Sequence, residues 1–354
     1  MDTTFGDSNI YAHETVAYGE DNFSIINAVK INYGVHISSF FVQGKSYFSI
    51  EPRLSGRVLI SDRLSAKAGY AKMSQYIHLL SNNNISLPTD LWVPVTKQIE
   101  PMKSHQFSAG LFYEIPKLAE FSVEGYYKKM NNLIEYKDGA SFLGQSTGWE
   151  EKVCMGDGTA YGVEFLAQRS FGSTTGWIGY TWSKTNRLFN RPGQELNNGN
   201  VFPAKYDRRH SISLTLNHQF NEKMDISGSW VFNTGNTGTL ALQYYQSAKN
   251  PSQTSQNNYN ILYETPYVSS RNNYRFNPYH RMDIGINFHK KKKHGMRTWN
   301  ISVYNVYNNN NPFIVMPGST ENGYDNQGNT KYKNVLKQYS VFPILPSISY
   351  IYKF

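Results

Sequence analysis

The sequence contains one cysteine, Cys154, in 354 residues. It can therefore form neither an intrachain disulfide nor a cysteine metal cage, and its stability must come from elsewhere. It has no apolar run near the roughly 18 residues that a membrane-spanning helix requires, and its mean hydropathy is -0.55. Residues 1–30 lack the basic stretch followed by an apolar one that marks a secretory leader. Metal-hydrolase and dinucleotide signatures are also missing: there is no H-E-x-x-H and no G-x-G-x-x-G. Gly156-Asp157-Gly158 and the run from Gly144 to Thr147 read as loops, because no helix follows them to supply an anion-binding N-terminus. The formal net charge of +9 is spread along the chain without a nucleic-acid module, which argues against a nucleic-acid partner.

What the chain does have is aromatic residues, 15% of the total with 27 Tyr and 20 Phe, and a strong period-two alternation. In a strand, successive side chains point to opposite faces. Between Tyr47 and Ile60 one face reads Phe48, Ile50, Pro52, Leu54, Val58, Ile60, and the other Tyr47, Ser49, Glu51, Arg53, Ser55, Arg57. The pattern returns with Ile212, Leu214, Leu216 against Ser211, Ser213, Thr215, Asn217, and with Met224, Ile226, Trp230, Phe232 against Asp225, Ser227, Ser229, Asn233. It returns again with Met282, Ile284, Ile286, Phe288 against Arg281, Asp283, Asn287, His289. One face suits lipid and the other water, so a membrane barrel can carry a soluble-looking average hydropathy.

Alternation also fits a soluble sandwich, and loop lengths separate the two. The pattern predicts about thirteen strands, near 14–21, 24–36, 47–60, 63–77, 104–115, 119–131, 159–169, 174–184, 209–219, 223–234, 279–289, 297–308 and 345–354. Short connections fall at Ser61-Asp62, Pro116 to Leu118, Ser170 to Ser173, Asn221-Glu222 and Lys290 to Met296. Between them run long ones over about 78–103, 132–158, 185–208, 235–278 and 309–344. Short turns at one end and long loops at the other are the asymmetry of an antiparallel outer-membrane β-barrel, periplasmic and extracellular respectively. Tyr70, Tyr76, Tyr127, Tyr161, Trp177, Tyr180, Trp182, Trp299 and Tyr307 are candidates for its interfacial aromatic belt. At the C-terminus, Tyr350, Tyr352 and Phe354 share a face with Ile348 and end the chain on an aromatic residue, which resembles the signal read by the barrel assembly machinery.

More specific sequence words follow. They include Glu51-Pro52-Arg53-Leu54, Gln75-Tyr76-Ile77-His78-Leu79-Leu80, Thr89-Asp90-Leu91-Trp92-Val93-Pro94, Gly158 to Glu164, Gly176 to Thr181, Tyr206-Asp207-Arg208-Arg209-His210 and Thr234-Gly235. Further along stand Asn272-Asn273-Tyr274-Arg275, Tyr279-His280-Arg281-Met282-Asp283, Tyr304-Asn305-Val306-Tyr307 and Asn311-Pro312-Phe313. From about residue 47 to the end, the chain resembles the barrel portion of a TonB-dependent receptor.

That resemblance implies import of a small-molecule nutrient, an iron chelate or another scarce and bulky one, across the outer membrane. TonB would remodel a plug domain inside the barrel. A glycan-importing member of the same superfamily is the alternative. Barrels of this kind have about 22 strands around a plugged lumen, against about thirteen counted here. The expectation is a C-terminal part of such a barrel, residues 14–354 after a loop remnant at 1–13, with the plug and about nine strands upstream. A truncated barrel that transports nothing is the reading from another class.

The expected partners are outer-membrane lipid, the assembly machinery, TonB through the plug, and the nutrient. No enzyme activity, cofactor or metal is implied. Glu51, Arg53, Arg57, Glu124, Glu164, Arg209, Arg281 and Asp283 are placed on the inward face as plug or lumen contacts. Trp92, Trp149, Tyr244, Tyr245 and Tyr324 are placed in the long loops as substrate contacts, since binding residues concentrate on loops held by a rigid scaffold. His210 and His280 are expected to hydrogen-bond at the loop-side rim and not to hold a metal. The run Lys290 to Lys293 is expected in a solvated turn.

Overall fold

The computed structural model describes residues 10–81, 90–140, 148–241, 243–247, 263–324, 327–328 and 330–354, with the side chains of 244, 246, 247, 263–266 and 317 outside that description. Gly144 to Thr147 and Thr89 lie outside the described residues.

Thirteen long strands pair in chain order, each antiparallel to the next. They are β1 (Ala12–Ile26), β2 (Val29–Val42), β3 (Lys45–Leu59), β4 (Leu64–Gln75), β5 (Met102–Ile115), β6 (Ala119–Tyr136) and β7 (Val153–Arg169). The sheet continues through β8 (Thr174–Leu188), β9 (His210–Asn221), β10 (Met224–Asn233), β11 (Tyr279–Lys292), β12 (Gly295–Tyr304) and β13 (Leu345–Lys353). The short segment Phe202–Pro203 adds beside the upper end of β8. Among the described residues β1 and β13 each have one neighbour, so the sheet they form is open.

The alternation decides the two faces. Along β3 Phe48, Ile50, Leu54 and Val58 are exposed on one face, whereas Ser49 and Glu51 are buried on the other. Register carries each face from strand to strand. An apolar row runs Leu54, Tyr70, Phe107, Tyr127, Tyr161 across five directly paired strands. Most of the expected belt residues lie on this face, among them Tyr180 and Trp182, which pair with Phe165 and Val163, and Trp299, which packs on Tyr350 at 4.9 Å. Two do not. Tyr76 is buried on the polar side, stacked on Phe40 at 4.6 Å with its hydroxyl 2.7 Å from Ser38 Oγ. Trp177 pairs with Gln168 and Thr215, which also puts it on the polar face.

The first hairpins differ from expectation. No turn interrupts the chain at 22–23: β1 runs to Ile26, and the turn falls at Asn27-Ala28. Asp21 and Asn22 stay in the strand because each finds a cross-strand partner, Tyr33 Oη at 3.1 Å and Asn32 Nδ2 at 2.8 Å. β2 then reaches Val42, and a two-residue turn joins it to β3 at Gln43-Gly44 with φ of 49° and 78°. Both positive values fit the tight hairpin turn whose twist matches its strands, and the second is easiest for glycine. The lysine run is also mostly strand, since β11 continues through Lys292 and leaves Lys293-His294 as the turn. The long loops contain hairpins of their own: Ile77–Ser81 with Asp90–Pro94, Gln243–Ser247 with Tyr263–Tyr267, and Ile314–Tyr324 with Thr330–Tyr339.

Candidate functional site

The side chains that pack together lie at the loop end of the sheet. One cluster joins Leu80, Val93, Ile99, Ile134, Tyr136 and Val153. A second joins Met130, Leu133, Cys154, Phe189, Leu196 and Phe202, and a third Phe40, Val42, Tyr76 and Val95. Strand tops and loops thus build a small core of the kind that a soluble domain has, while the wall below it is one sheet thick.

Polar ties lock this core. Asp207, fully buried, accepts from Arg275 Nη2 at 2.6 Å, from the Thr185 amide at 2.7 Å, and lies 3.1 Å from Arg209 Nε. Arg271 is buried and reaches Glu135 at 3.2 Å, Asp138 at 2.7 Å and the Tyr136 carbonyl at 2.9 Å. Lys205 and Tyr206 both donate to Asp90, which ties the Asp90–Pro94 hairpin strand to the loop after β8. Burial pushes the Tyr206 phenol up to about 12, reinforced by its hydrogen bond to Asp90 and that residue's charge. Burial alone would raise Asp90, but the bonds from Tyr206 and Lys205 hold its carboxyl below the ordinary value. His78 is held below its ordinary value by burial, with Nε2 3.0 Å from the Glu100 carbonyl oxygen.

Below the core, charges on the polar face are segregated. Lys30 stands directly opposite Arg57, and Arg57 opposite Lys67, on β2, β3 and β4. Two strands further on, Glu124 of β6 stands directly opposite Glu164 of β7. Nearer the loop end, Glu51 is buried, 3.2 Å from His36 Nδ1 and from Ser38 Oγ. Arg53 is exposed. Arg281 pairs with Asp283 at 2.9 Å and donates to the hydroxyls of Tyr279 and Tyr304. Of the eight expected inward charges, Arg209, Arg281, Asp283 and Glu51 are therefore engaged within the wall or its loops. Arg53, Arg57, Glu124 and Glu164 have no ion-pair partner among the described residues.

The loop aromatics are not gathered into one site. Trp92 and Tyr324 project as exposed side chains from two different hairpins, and Tyr245 from a third. Trp149 packs against the first apolar cluster, and the side chain of Tyr244 lies outside the described residues. His210 meets the Tyr180 hydroxyl at 2.9 Å and His280 the Tyr307 hydroxyl at 3.0 Å. Among the described residues no group of three or more His, Cys, Asp or Glu could hold a metal ion. Tyr350 and Tyr352 share the apolar face of β13, and Phe354 is fully exposed.

Sequence reasoning missed the buried hubs Asp207, Arg271 and Asp90. A signal was present for Asp207, the one acid in the run Tyr206 to His210, where a lone carboxylate among arginines invites pairing. Arg271 had none, because its partners lie more than 130 residues away.

Comparison with known proteins follows from this geometry. The profile of the family described as TonB dependent receptor-like, beta-barrel matches residues 2–308. Among solved structures, the ferric-catecholate import receptor Fiu from K12 E. coli superposes with a TM-score of 0.56 at 11% identity, over 96% of this chain and 45% of that one. The FrpB iron transporter from Neisseria meningitidis gives 0.55 at 14% identity, over 86% and 42%. The ferripyoverdine receptor of the outer membrane of Pseudomonas aeruginosa gives 0.55 at 10% identity, over 96% and 38%. The chain thus spans less than half the length of each of these receptors. A search of curated proteins by sequence gives no match.

Proposed function

From a chain that belongs to the TonB-dependent receptor-like β-barrel family and therefore sits in the outer membrane, we propose that its thirteen strands form the C-terminal part of the wall of an importer for a ferric chelate of the siderophore type. The observation that carries this reading is the wall itself. It has an apolar face for lipid, a polar face with charges that make no ion pair among the described residues, a locked loop end, and two edge strands each paired on one side only. An open edge in lipid leaves backbone donors and acceptors unsatisfied at several kcal/mol each. The remaining strands of a closed barrel, about nine in this family's plan of about 22, are the natural partners of β1 and β13.

In this reading a plug domain fills the lumen and relays TonB. Arg53, Arg57, Glu124 and Glu164 face that plug, with Glu51 held near the loop end. Trp92, Trp149, Tyr244, Tyr245 and Tyr324 contribute to the mouth. Tyr350, Tyr352 and Phe354 present β13 to the assembly machinery. The iron transporter and ferric-siderophore receptors above support the choice of cargo.

The test is uptake. Deleting the gene for this chain should abolish energy-dependent accumulation of one radio-iron chelate in iron-starved cells, and removing TonB should have the same effect. Loss of growth on an oligosaccharide with iron uptake intact would transfer the protein to the glycan-importing branch. Residues 1–354 alone, exported behind an added signal peptide, should not restore uptake, and full restoration would overturn the partial-wall reading.

A further inference from the structure

We infer that the polar face of β2, β3 and β4 carries a binding site for a compact oxyanion, built by Lys30, Arg57 and Lys67. The three cations occupy one register row on adjacent strands, Lys30 opposite Arg57 and Arg57 opposite Lys67. Directly opposed side chains of like charge destabilise a sheet, because their Cβ atoms are only about 5 Å apart. No ion pair within the wall offsets the repulsion: none of the three has an ion-pair partner among the described residues. Lys67 instead lies 3.8 Å over the ring of Phe112. The Nε of Arg57 is buried without a hydrogen-bond partner, and a buried donor left unmade is costly enough to demand an explanation.

The surroundings define the size of the occupant. A recess of about 300 Å³ opens between these cations and Glu124, lined also by Asn32, Ser55, Gly69, Ser108 and Gly110. Gly110 stands in the row between Lys67 and Glu124. A Cβ there would fall 2.5 Å from Glu124 Cγ and 2.9 Å from the Val123 carbonyl oxygen, so glycine makes room for the Glu124 side chain, which lies over it at the far edge of the recess. The space suits a phosphate- or carboxylate-sized group with a few waters and is too small for a bulky chelate. The donor set fits as well: a guanidinium fork binds two oxygens of one anion, and flanking ammoniums add charge without geometric demand. An oxyanion seated there would satisfy Arg57 and turn three repulsive neighbours into a shared ligand set. This assignment does not depend on the import reading, and the two can fail separately.

The test is a titration of the purified full chain in detergent at constant ionic strength set with chloride. Inorganic phosphate is followed by ³¹P line broadening and calorimetry, with acetate as a parallel probe. One saturable site is expected, weakened at least about 10-fold in Arg57→Gln and in Lys67→Gln and unchanged in Lys290→Gln, a lysine at the turn end of the wall. Arg57→Lys, which keeps the charge and loses the fork, should fall between. Strand content by circular dichroism establishes that each variant is folded. Phosphate binding more tightly than acetate assigns the site to a phosphoryl group. Acetate binding equally well or better assigns it to a carboxylate, as from an acidic side chain in the lumen. Absence of saturation with both probes, equal competition by chloride, or unchanged binding in folded Arg57→Gln and Lys67→Gln would overturn the proposal.

Discussion

The loop end and the middle of the wall use the same strands in opposite ways. At the loop end Phe189, Phe202, Leu80 and Val42 are all but sealed from solvent, and the charges among them are paired. In the middle, Leu54, Ile178 and Leu216 are exposed on one face, while Arg57, Glu124 and Glu164 go unpaired on the other. A soluble protein with the mid-wall's surface would aggregate, because exposed apolar patches of that extent mark contact with something else. In the proposed barrel that contact is lipid. The loop end is stabilised by its own packing, and the wall by backbone pairing plus its two solvents.

Disturbing each region by its own logic should separate them. The largest effect is expected at the loop end, where Asp207→Ala strips the partner from Arg275 and Arg209 and leaves the Thr185 amide unanswered. Breaking such a buried pair costs about 3–5 kcal/mol. The loss should appear in urea unfolding in detergent and in bilayers alike, and a shift confined to bilayers would contradict a self-contained loop-end core. Next comes the wall. Leu214→Arg on the apolar face should cost about 2–4 kcal/mol near the bilayer midplane, whereas Ser213→Arg on the polar face should be mild. Folding titrations in lipid vesicles measure the difference, and equal tolerance of the two changes would remove the membrane assignment of that face.

The smallest effect concerns His78. Burial lowers its folded-state pKa, so the folded protein resists a proton that the unfolded chain accepts near pH 6.5. Stability is therefore fully present above that pH and declines as pH falls through it toward the lower folded value, by less than about 1.4 kcal/mol per pH unit. His78→Gln should flatten this slope, and an unchanged slope would mean that other groups set it.

The same contrast explains what could be read from sequence. Mid-wall strands were legible because each face meets one solvent over many residues, which makes the alternation long and clean, as from Ile212 to Leu216. Their number and the parity of most turns followed. The first hairpins were not legible, since Asp21 and Asn22 resemble a turn until the cross-strand partners Tyr33 and Asn32 are known. Nor were the hairpins inside the long loops, whose strands pair with each other and not with the wall. At the candidate site, direction could be read and partnership could not. Alternation puts Glu124 and Glu164 on one face, but only register brings them opposite each other or aligns Lys30 with Arg57 and Lys67.

Pairing in chain order has a kinetic side. Every contact along the wall joins a strand to the next long strand in the chain, and a hairpin with a short turn closes on the order of 1–10 μs because little chain entropy is lost in bringing its ends together. The bonds from Arg271 to Glu135 and from Lys205 to Asp90 span 136 and 115 residues. They demand that much chain be gathered before they return any energy, unless the intervening strands are already zipped and have brought the ends near. The wall is thus its own scaffold for the loop end: hairpins that form cheaply shorten the search for the ties that do not.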